Sequence, residues 1–385
     1  LIYDKKIKVV HILEGFLGGT STYMCTVLPQ LVQKGFDVTL ISSLNRSYPD
    51  AYTRISELRA CGVKVHIIPM YREINPLKDI NSLAIIMRLL LASKFDIVHT
   101  HCSKAGTLGR IAGVLTGRSV RLHTPHCFAF MRCNSRFKKP LYFTLEKLLG
   151  RLTTKLVTVS RSETNIAIRR GIVPSHKCTR VRNGLSNGQF SFNNPSIKES
   201  LCKASLGIEK DTQVVTTACR LVEYKGIFRF LRAAALSCAP NTVFLIAGDG
   251  KLKESAERFI IKNKLRKKVK LLGYVSNIEQ IYSISDVVAL CSDAEAQPYL
   301  LLEAMRTKCP IVATSVIGNK ELISHGRTGI LAEPSPASIA KAIDELLADE
   351  NKRNKYAENA YVYFCKYHTL EKQISELIKV YKSLL

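Results

Sequence analysis

Glu295 and Glu303 stand with seven residues between them in Ser292-Asp-Ala-Glu-Ala-Gln-Pro-Tyr-Leu-Leu-Leu-Glu-Ala-Met305. The preceding run, Asp286-Val-Val-Ala-Leu290, reads as a short buried strand. Pro298 suits the first position of a Leu- and Met-rich helix, where a missing N–H costs nothing. One carboxylate is then expected in the loop at a strand's carboxyl end, and the other within the first turns of the helix. The N–H groups of Tyr299 and Leu300 fall between them, at the positive end of the helix dipole, where an anion is favoured. A loop carboxylate can hold sugar hydroxyls, a helix terminus phosphate, and a helix carboxylate a ribose diol, so this stretch suits a nucleotide sugar. A solvated Glu295 and a capping Glu303 would satisfy the same spacing.

Four other places carry chemically useful groups. In Glu14-Gly-Phe-Leu-Gly-Gly-Thr-Ser21, Gly18 and Gly19 let a phosphate approach where a Cβ would clash. A strand-to-helix turn also favours glycine on its own account, and the Lys of a P-loop is missing. In His123-Thr-Pro-His126-Cys-Phe-Ala-Phe130, His126 could donate to a sugar hydroxyl or phosphate while mostly neutral, or sit in the core against a backbone carbonyl. His99 and His101 form a similar pair that looks like metal ligands, but the sequence places no third ligand beside them. Cys219-Arg220-Leu-Val-Glu-Tyr-Lys225-Gly226 combines a planar fork with a point charge, which together can neutralise a departing diphosphate. A solvated basic loop is the plain alternative there. Gly248-Asp-Gly250 is a tight turn, fit for close packing on a ligand or for chain reversal.

Short Val/Ile-rich runs alternate with longer helical patterns and bring these loops to strand ends, the signature of parallel sheets flanked by helices. Strands are expected over 7–13, 38–42, 63–67, 96–100, 120–124, 155–159 and 177–181, then over 213–218, 242–247, 269–272, 286–290, 310–314 and 329–331. Two doubly wound sheets follow, and ligands of such sheets bind at the carboxyl ends of strands. The polar stretch 183–209, with Asn193-Asn194-Pro195-Ser196, is the expected linker. The closing segment 361–385 reads as one or two helices.

A chain of 385 residues exceeds the size at which single cores stop growing, so two domains are expected. Its twelve cysteines are scattered without C-x-x-C or paired spacing, which fits reduced thiols in a cytosolic protein better than zinc or disulfides. The opening Leu1-Ile-Tyr-Asp-Lys-Lys6 has no apolar leader core, and the best apolar run, 83–92, is broken by Arg88. No membrane span is expected. The net charge of +26 is uneven: residues 1–190 hold 29 basic and 10 acidic residues, the remainder 28 and 21. The first half therefore faces something anionic. Over 128–155, Arg132, Arg136, Lys138, Lys139, Lys147, Arg151 and Lys155 interleave with Phe130, Phe137, Tyr142 and Phe143 against the single acid Glu146. That mixture suits an anionic membrane surface or a phosphorylated lipid, or a merely solvated basic helix. No helix-turn-helix, zinc finger or RNP motif supports nucleic acid.

Taken in order, Gly18-Gly19, Val98-His99-Thr100-His101 with Ser103-Lys-Ala-Gly106, Thr124-Pro-His126, Asn183-Gly184, Arg220 with Lys225, Gly248-Asp-Gly250, Glu295 with Glu303, and Gly318 before Glu321-Leu-Ile resemble glycosyltransferase family four along nearly the whole chain. The resemblance implies the GT-B fold, two doubly wound Rossmann-like domains facing a central cleft. The acceptor domain is expected over 1–190 and the nucleotide-sugar domain over 191–365, with a closing helix at 366–385 packing back on the first. It implies that Glu303 binds the ribose, that Arg220 and Lys225 hold the diphosphate, and that Gly19 offers backbone N–H to it once the cleft closes. Glu295 and His126 would contact the transferred sugar.

The implied chemistry is transfer with retention through an oxocarbenium-like state. No protein nucleophile and no metal or other cofactor is expected, in keeping with the lack of an Asp-x-Asp motif. Cys127, Ala296, Leu185-Ser186 and Gly318-Asn319 depart from the family's usual residues in loops that would shape the sugar pocket. The expected function is a cytosolic, peripheral inner-membrane enzyme moving a hexosyl or N-acetylhexosaminyl group from UDP-sugar to a polyprenyl-diphosphate-linked saccharide. The rivals are another GT-B enzyme, such as a nucleotide-sugar 2-epimerase or a glycogen-synthase-like polymerase, and a non-catalytic binder of anionic membranes.

Overall fold

The computed structural model describes residues 6–133, 135–187 and 203–385. The Asn193-Asn194-Pro195-Ser196 stretch of the expected linker and the first five residues lie outside them. The chain divides into two compact units, Leu1–Asn183 with Leu370–Leu385, and Gly184–Thr369. At the edge of the second unit the two chain passages are stitched together, since the Leu185 N–H donates to the His368 carbonyl at 3.0 Å. The units therefore change over at 183/184, the start of the expected linker, and at 369/370, where the domain limits were expected at 190 and 365.

The first unit is built on a parallel seven-stranded sheet ordered β3-β2-β1-β4-β5-β6-β7. Its strands are β1 (Lys8–Leu13), β2 (Asp37–Ser42), β3 (Lys64–Ile67), β4 (Ile97–His101), β5 (Val120–Thr124), β6 (Lys155–Thr158) and β7 (Cys178–Arg180). The second is a parallel six-stranded sheet ordered β10-β9-β8-β11-β12-β13. It comprises β8 (Gln213–Ala218), β9 (Thr242–Ala247), β10 (Val269–Gly273), β11 (Val287–Leu290), β12 (Ile311–Thr314) and β13 (Ile330–Ala332). Near-continuous Val/Ile/Leu strands are what a sheet buried on both faces demands. In each sheet the strand order reverses once, between β1 and β4 and between β8 and β11, and a doubly wound fold opens its ligand crevice at that point.

The helices follow from local chemistry. Asn75 accepts from the Lys78 N–H ahead of the helix Pro76–Ala92, and Ser160 accepts from the Glu163 N–H ahead of Arg161–Arg169, each satisfying a donor that a helix start leaves free. Pro298 stands at the capping position, one residue before the helix Tyr299–Arg306, rather than inside it. The closing helical region begins well before residue 361: Asp349 caps a helix Glu350–Tyr367, and a second helix, Leu370–Lys382, follows. The latter packs on the helix Gly18–Gln33 and buries Leu370, Ile374, Leu377 and Tyr381. Among the described residues no helix is long and apolar enough to cross a membrane, and the described cysteines are unpaired.

Candidate active site

In the first unit, β1 and β4 place His11 opposite His99, and β4 and β5 place His101 opposite Thr124. Period-two alternation puts His99 and His101 on one face, with His11 beside them. Sequence spacing supplied only two of these three histidines; strand pairing supplies the third, and the ring nitrogens of His11, His99 and His101 come within 4.8 Å of one another. The rings engage each other and their neighbours: His11 Nδ1 to His101 Nε2 at 2.9 Å, His101 Nδ1 to His126 Nε2 at 3.0 Å, and His99 Nε2 to Thr124 Oγ1 at 2.8 Å. His126 is thus held by a ring nitrogen, not by the backbone carbonyl that a core histidine would use. Burial, then the nearby Arg132 charge, push its pKa down to about 3. Burial alone takes His11 to about 3, and burial followed by the neighbouring rings holds His99 and His101 well below the ordinary range.

The loop that carries His126 is bent. His126 and Cys127 both lie in the left-handed region, at φ 50° and 74°, a conformation that costs a non-glycine residue on the order of 1–3 kcal/mol. It is pinned by Glu163, whose buried carboxylate accepts from the Cys127 N–H at 2.8 Å and the Val159 N–H at 3.0 Å. Position 127 is thus one where glycine would be unstrained. Nearby, Gly18 and Gly19 open the helix Gly18–Gln33 with no side-chain cap, and Glu14 before them is gripped by both oxygens from Arg46.

In the second unit, the loop after β8 brings Arg220 and Lys225 to the sheet's carboxyl edge, and the loop after β11 brings Glu295. Lys225 Nζ meets Glu295 Oε1 at 2.5 Å, with side chains only 17% and 9% exposed. Burial works to lower the Lys225 pKa, but Glu295 outweighs it and the ammonium ends up favoured. Arg220 donates to the Tyr224 hydroxyl. Arg229 clamps Asp293 and the Cys291 carbonyl, both at 2.6 Å, fixing the root of the Glu295 loop. Glu303, on the helix Tyr299–Arg306, accepts from the Tyr282 hydroxyl at 3.2 Å. Gly248 has φ 139°, and a Cβ there would lie 1.9 Å from the Cys219 carbonyl. In this structure it lets the Arg220 loop lie flat against β9.

Family models match both units: one described as a glycosyl transferase 4-like domain over residues 18–184, and one as glycosyl transferases group 1 over residues 200–363. An Escherichia coli protein named UDP-Gal:alpha-D-GlcNAc-diphosphoundecaprenol alpha-1,3-galactosyltransferase is 32% identical over 337 residues, 85% of this chain and 84% of that one. The chain belongs to glycosyltransferase family four. The Staphylococcus aureus capsular polysaccharide biosynthesis glycosyltransferase CapM is 26% identical over 340 residues, 86% of this chain and 85% of that one. Among solved structures, Anabaena HepE in complex with UDP and glucose superposes with a TM-score of 0.83 at 19% identity, covering 98% of this chain and 100% of that one. WaaG, a glycosyltransferase involved in lipopolysaccharide biosynthesis, gives 0.74 at 16% identity, covering 96% and 99%. The fold of this glycosyltransferase is therefore GT-B.

The basic stretch of the glycosyltransferase sorts itself on folding. Glu146, its only acid, points inward to a fully buried Arg110 at 3.1 Å, and Phe130, Tyr142 and Phe143 join an inner cluster around Phe128. Arg136, Lys138, Lys139, Lys147 and Arg151 stay exposed. Phe137, Leu141 and Leu148 are 87%, 49% and 53% exposed, at the spacing of one stripe on the helix Lys138–Arg151. Two residues of the Ser103-Lys-Ala-Gly106 motif have packing partners inside the first unit. Lys104 is bound to Asp79 at 2.6 Å, and a Cβ on Gly106 would lie 2.5 Å from the His123 ring. Tyr381, His11 and Tyr282 are site neighbours that sequence reading passed over. A histidine inside the apolar strand Val10-His11-Ile12 was the available signal for one of them.

Proposed function

We propose that this glycosyltransferase moves a hexosyl or N-acetylhexosaminyl group, with retention, from a UDP-sugar to a polyprenyl-diphosphate-linked saccharide in surface polysaccharide synthesis. The observation that carries the reading is the Lys225–Glu295 pair at the carboxyl edge of the second sheet, followed directly by the helix that bears Glu303. The E. coli relative's name, with its UDP-Gal donor and diphosphoundecaprenol acceptor, supports the same donor and acceptor classes. Glu303 takes the ribose hydroxyls and the Tyr299 and Leu300 N–H groups take phosphate. Arg220 and Lys225 balance the charge that grows as the diphosphate departs, so no divalent cation is needed. Glu295 holds the sugar hydroxyls, and in the first unit His126 and the Gly18-Gly19 helix start offer donors of the kind a sugar hydroxyl or phosphate takes.

As the bond from the sugar's anomeric carbon to the diphosphate oxygen breaks, the acceptor oxygen bonds to that carbon from the same face. The acceptor's proton passes to the departing phosphate oxygen. Positioning and charge compensation then supply most of the rate. The exposed basic and apolar stripe of the helix Lys138–Arg151 fits peripheral attachment to the anionic inner face of the membrane.

Thermal shift against a panel of nucleotide sugars finds the donor, because a ligand bound only by the native state raises the apparent Tm. Transfer from that donor to a diphosphate-linked lipid saccharide, undiminished by EDTA and weakened in Glu303→Ala, is the expected result. Conversion of the UDP-sugar with no acceptor present would replace this reading with an epimerase.

A further inference from the structure

We infer that Thr124, His99, Tyr381, His11 and His101 form one directional chain of hydrogen bonds that fixes the tautomer of His126, so that His126 presents its Nδ1–H as a donor. The inference rests on the reading of His126 as a residue that faces substrate. The chain runs from Thr124 Oγ1 to His99 Nε2 at 2.8 Å, from His99 Nδ1 to the Tyr381 hydroxyl at 2.7 Å, and from that hydroxyl to His11 Nε2 at 3.2 Å. It continues from His11 Nδ1 to His101 Nε2 at 2.9 Å and from His101 Nδ1 to His126 Nε2 at 3.0 Å. His99, His101, His11 and Tyr381 are fully buried, while His126 is partly exposed.

Every ring stands in the same sense, Nε2 toward Thr124 and Nδ1 toward His126. A neutral imidazole has one N–H and one lone pair. Each junction therefore works only if all four rings carry the proton on Nε2 or all four carry it on Nδ1. A mixed chain would set two donors or two lone pairs against each other in the core and leave buried polar groups unpaired. Tyr381 is the pivot: its single O–H donates to one histidine and must accept from the other. The rings are kept neutral by burial, so a second proton does not relieve the constraint.

The buried end chooses the direction. Thr124 is 1% exposed, and among the described residues the hydrogen bond of its hydroxyl is the one to His99. A buried O–H left without an acceptor is costlier than a spare lone pair, just as orphaned N–H groups are rarer than under-used carbonyls. Thr124 therefore donates, and the direction propagates: His99 Nδ1–H to Tyr381, Tyr381 O–H to His11, His11 Nδ1–H to His101, and His101 Nδ1–H to His126. The His126 Nδ1–H is left as a donor for a sugar hydroxyl or phosphate oxygen. A metal would need a different arrangement. Zinc binds nitrogen at about 2.0–2.1 Å, and the nitrogens that face one another here lie within hydrogen-bonding distance.

Long-range proton–nitrogen NMR on the full chain, labelled at histidine, reads each tautomer directly. His11, His99, His101 and His126 should all show the Nδ1–H pattern. Tyr381→Phe keeps the ring and removes the pivot, so His126 should become a mixture of tautomers and kcat should fall about tenfold with the donor KM unchanged. Thr124→Val should do the same, and Thr124→Ser should restore the single tautomer. This also covers the case in which Tyr381→Phe does not fold. Unlike tautomers in the unsubstituted protein, a His126 spectrum unmoved by Tyr381→Phe and Thr124→Val, or stoichiometric zinc in the purified protein would each overturn the inference. If the tautomers respond as expected and kcat does not, the chain stands and the substrate-facing role of His126 falls.

Discussion

At the carboxyl edge of the first sheet, the groups gathered over β1, β4 and β5 are imidazoles bonded to one another and held neutral. At the same edge of the second sheet, over β8 and β11, an ammonium and a carboxylate are in contact. The fold is shared and the chemistry is not, as expected when function lives in loops grafted on a common scaffold. Neutral rings can orient hydroxyls without demanding a counter-ion. A paired lysine and glutamate suit a ligand with a diphosphate at one end and hydroxyls at the other, because each already sits where its partner's charge lowers the cost of burial. The excess positive charge of residues 1–190 is consequently a surface property of the first unit, not a property of its histidine site.

Acid should separate the two units most sharply. His11, His99, His101, His123 and His126 all have lowered pKa values, to about 3 for His11 and His126, with burial the largest cause each time. The charges that face them are Arg132 beside His126 and the Arg110–Glu146 pair beside His123. In the unfolded chain these rings titrate near 6.5. Between that value and about 3 the unfolded chain binds more protons, so stability falls as pH drops through this window, by about 1.4 kcal/mol per pH unit for each ring kept neutral. Hydrogen exchange at pH 7, 6 and 5 should show β1, β4 and the helix Leu370–Lys382 losing protection before β8 and β11. Simultaneous loss in both units would mean that the histidines are not the acid-sensitive element.

Breaking the charged site should act on turnover. Lys225→Ala is expected to lower kcat by about 10²–10³, the usual cost of removing a group aimed at developing negative charge. It also leaves Glu295 without its counter-charge, costing about 3–5 kcal/mol of stability. The pair Lys225→Met with Glu295→Leu should regain the stability and not the turnover. A double variant as inactive and as unstable as Lys225→Ala would make the pair a folding element. A smaller loss is expected for Glu303→Ala, about 10- to 100-fold in donor affinity by calorimetry, the range of one or two hydrogen bonds to a charged group. Unchanged affinity would remove Glu303 from the donor.

How much of this was legible in the sequence follows from how local each signal was. Strand β9, Thr242-Val-Phe-Leu-Ile-Ala247, matched its expected limits because it is one apolar run, and β5 and β8 matched theirs on their Val, Leu and Thr content despite polar residues within them. Arg220, Lys225 and Glu295 stood out as candidates because loops after parallel strands are where a doubly wound sheet takes its ligand. The histidine chain was hidden: His11 and Tyr381 are 370 residues apart, and only strand pairing and the return of the last helix bring them together. Glu146 misled for a related reason, since counting charges along a stretch does not tell which side of a helix each one takes. Its inward turn toward Arg110 leaves the outer face of that helix with basic residues and no acid.

That outer face offers the finest test of the contrast between the units. If the first unit's charge serves a membrane, Lys138→Ala or Lys139→Ala should each weaken binding to vesicles containing anionic lipid by about fivefold, since one lysine near such a surface contributes about 1 kcal/mol. The effect should shrink as salt rises, because the screening length is only about 8 Å at physiological ionic strength. Lys262→Ala, at an exposed position on the second unit, should leave partitioning unchanged. Phe137→Ser would lower binding at every salt concentration, because its contribution is burial of an exposed ring and not attraction to headgroups. Equal losses from Lys138→Ala and Lys262→Ala would show that net charge alone draws the protein to the vesicle, and that the helix Lys138–Arg151 has no special part in it.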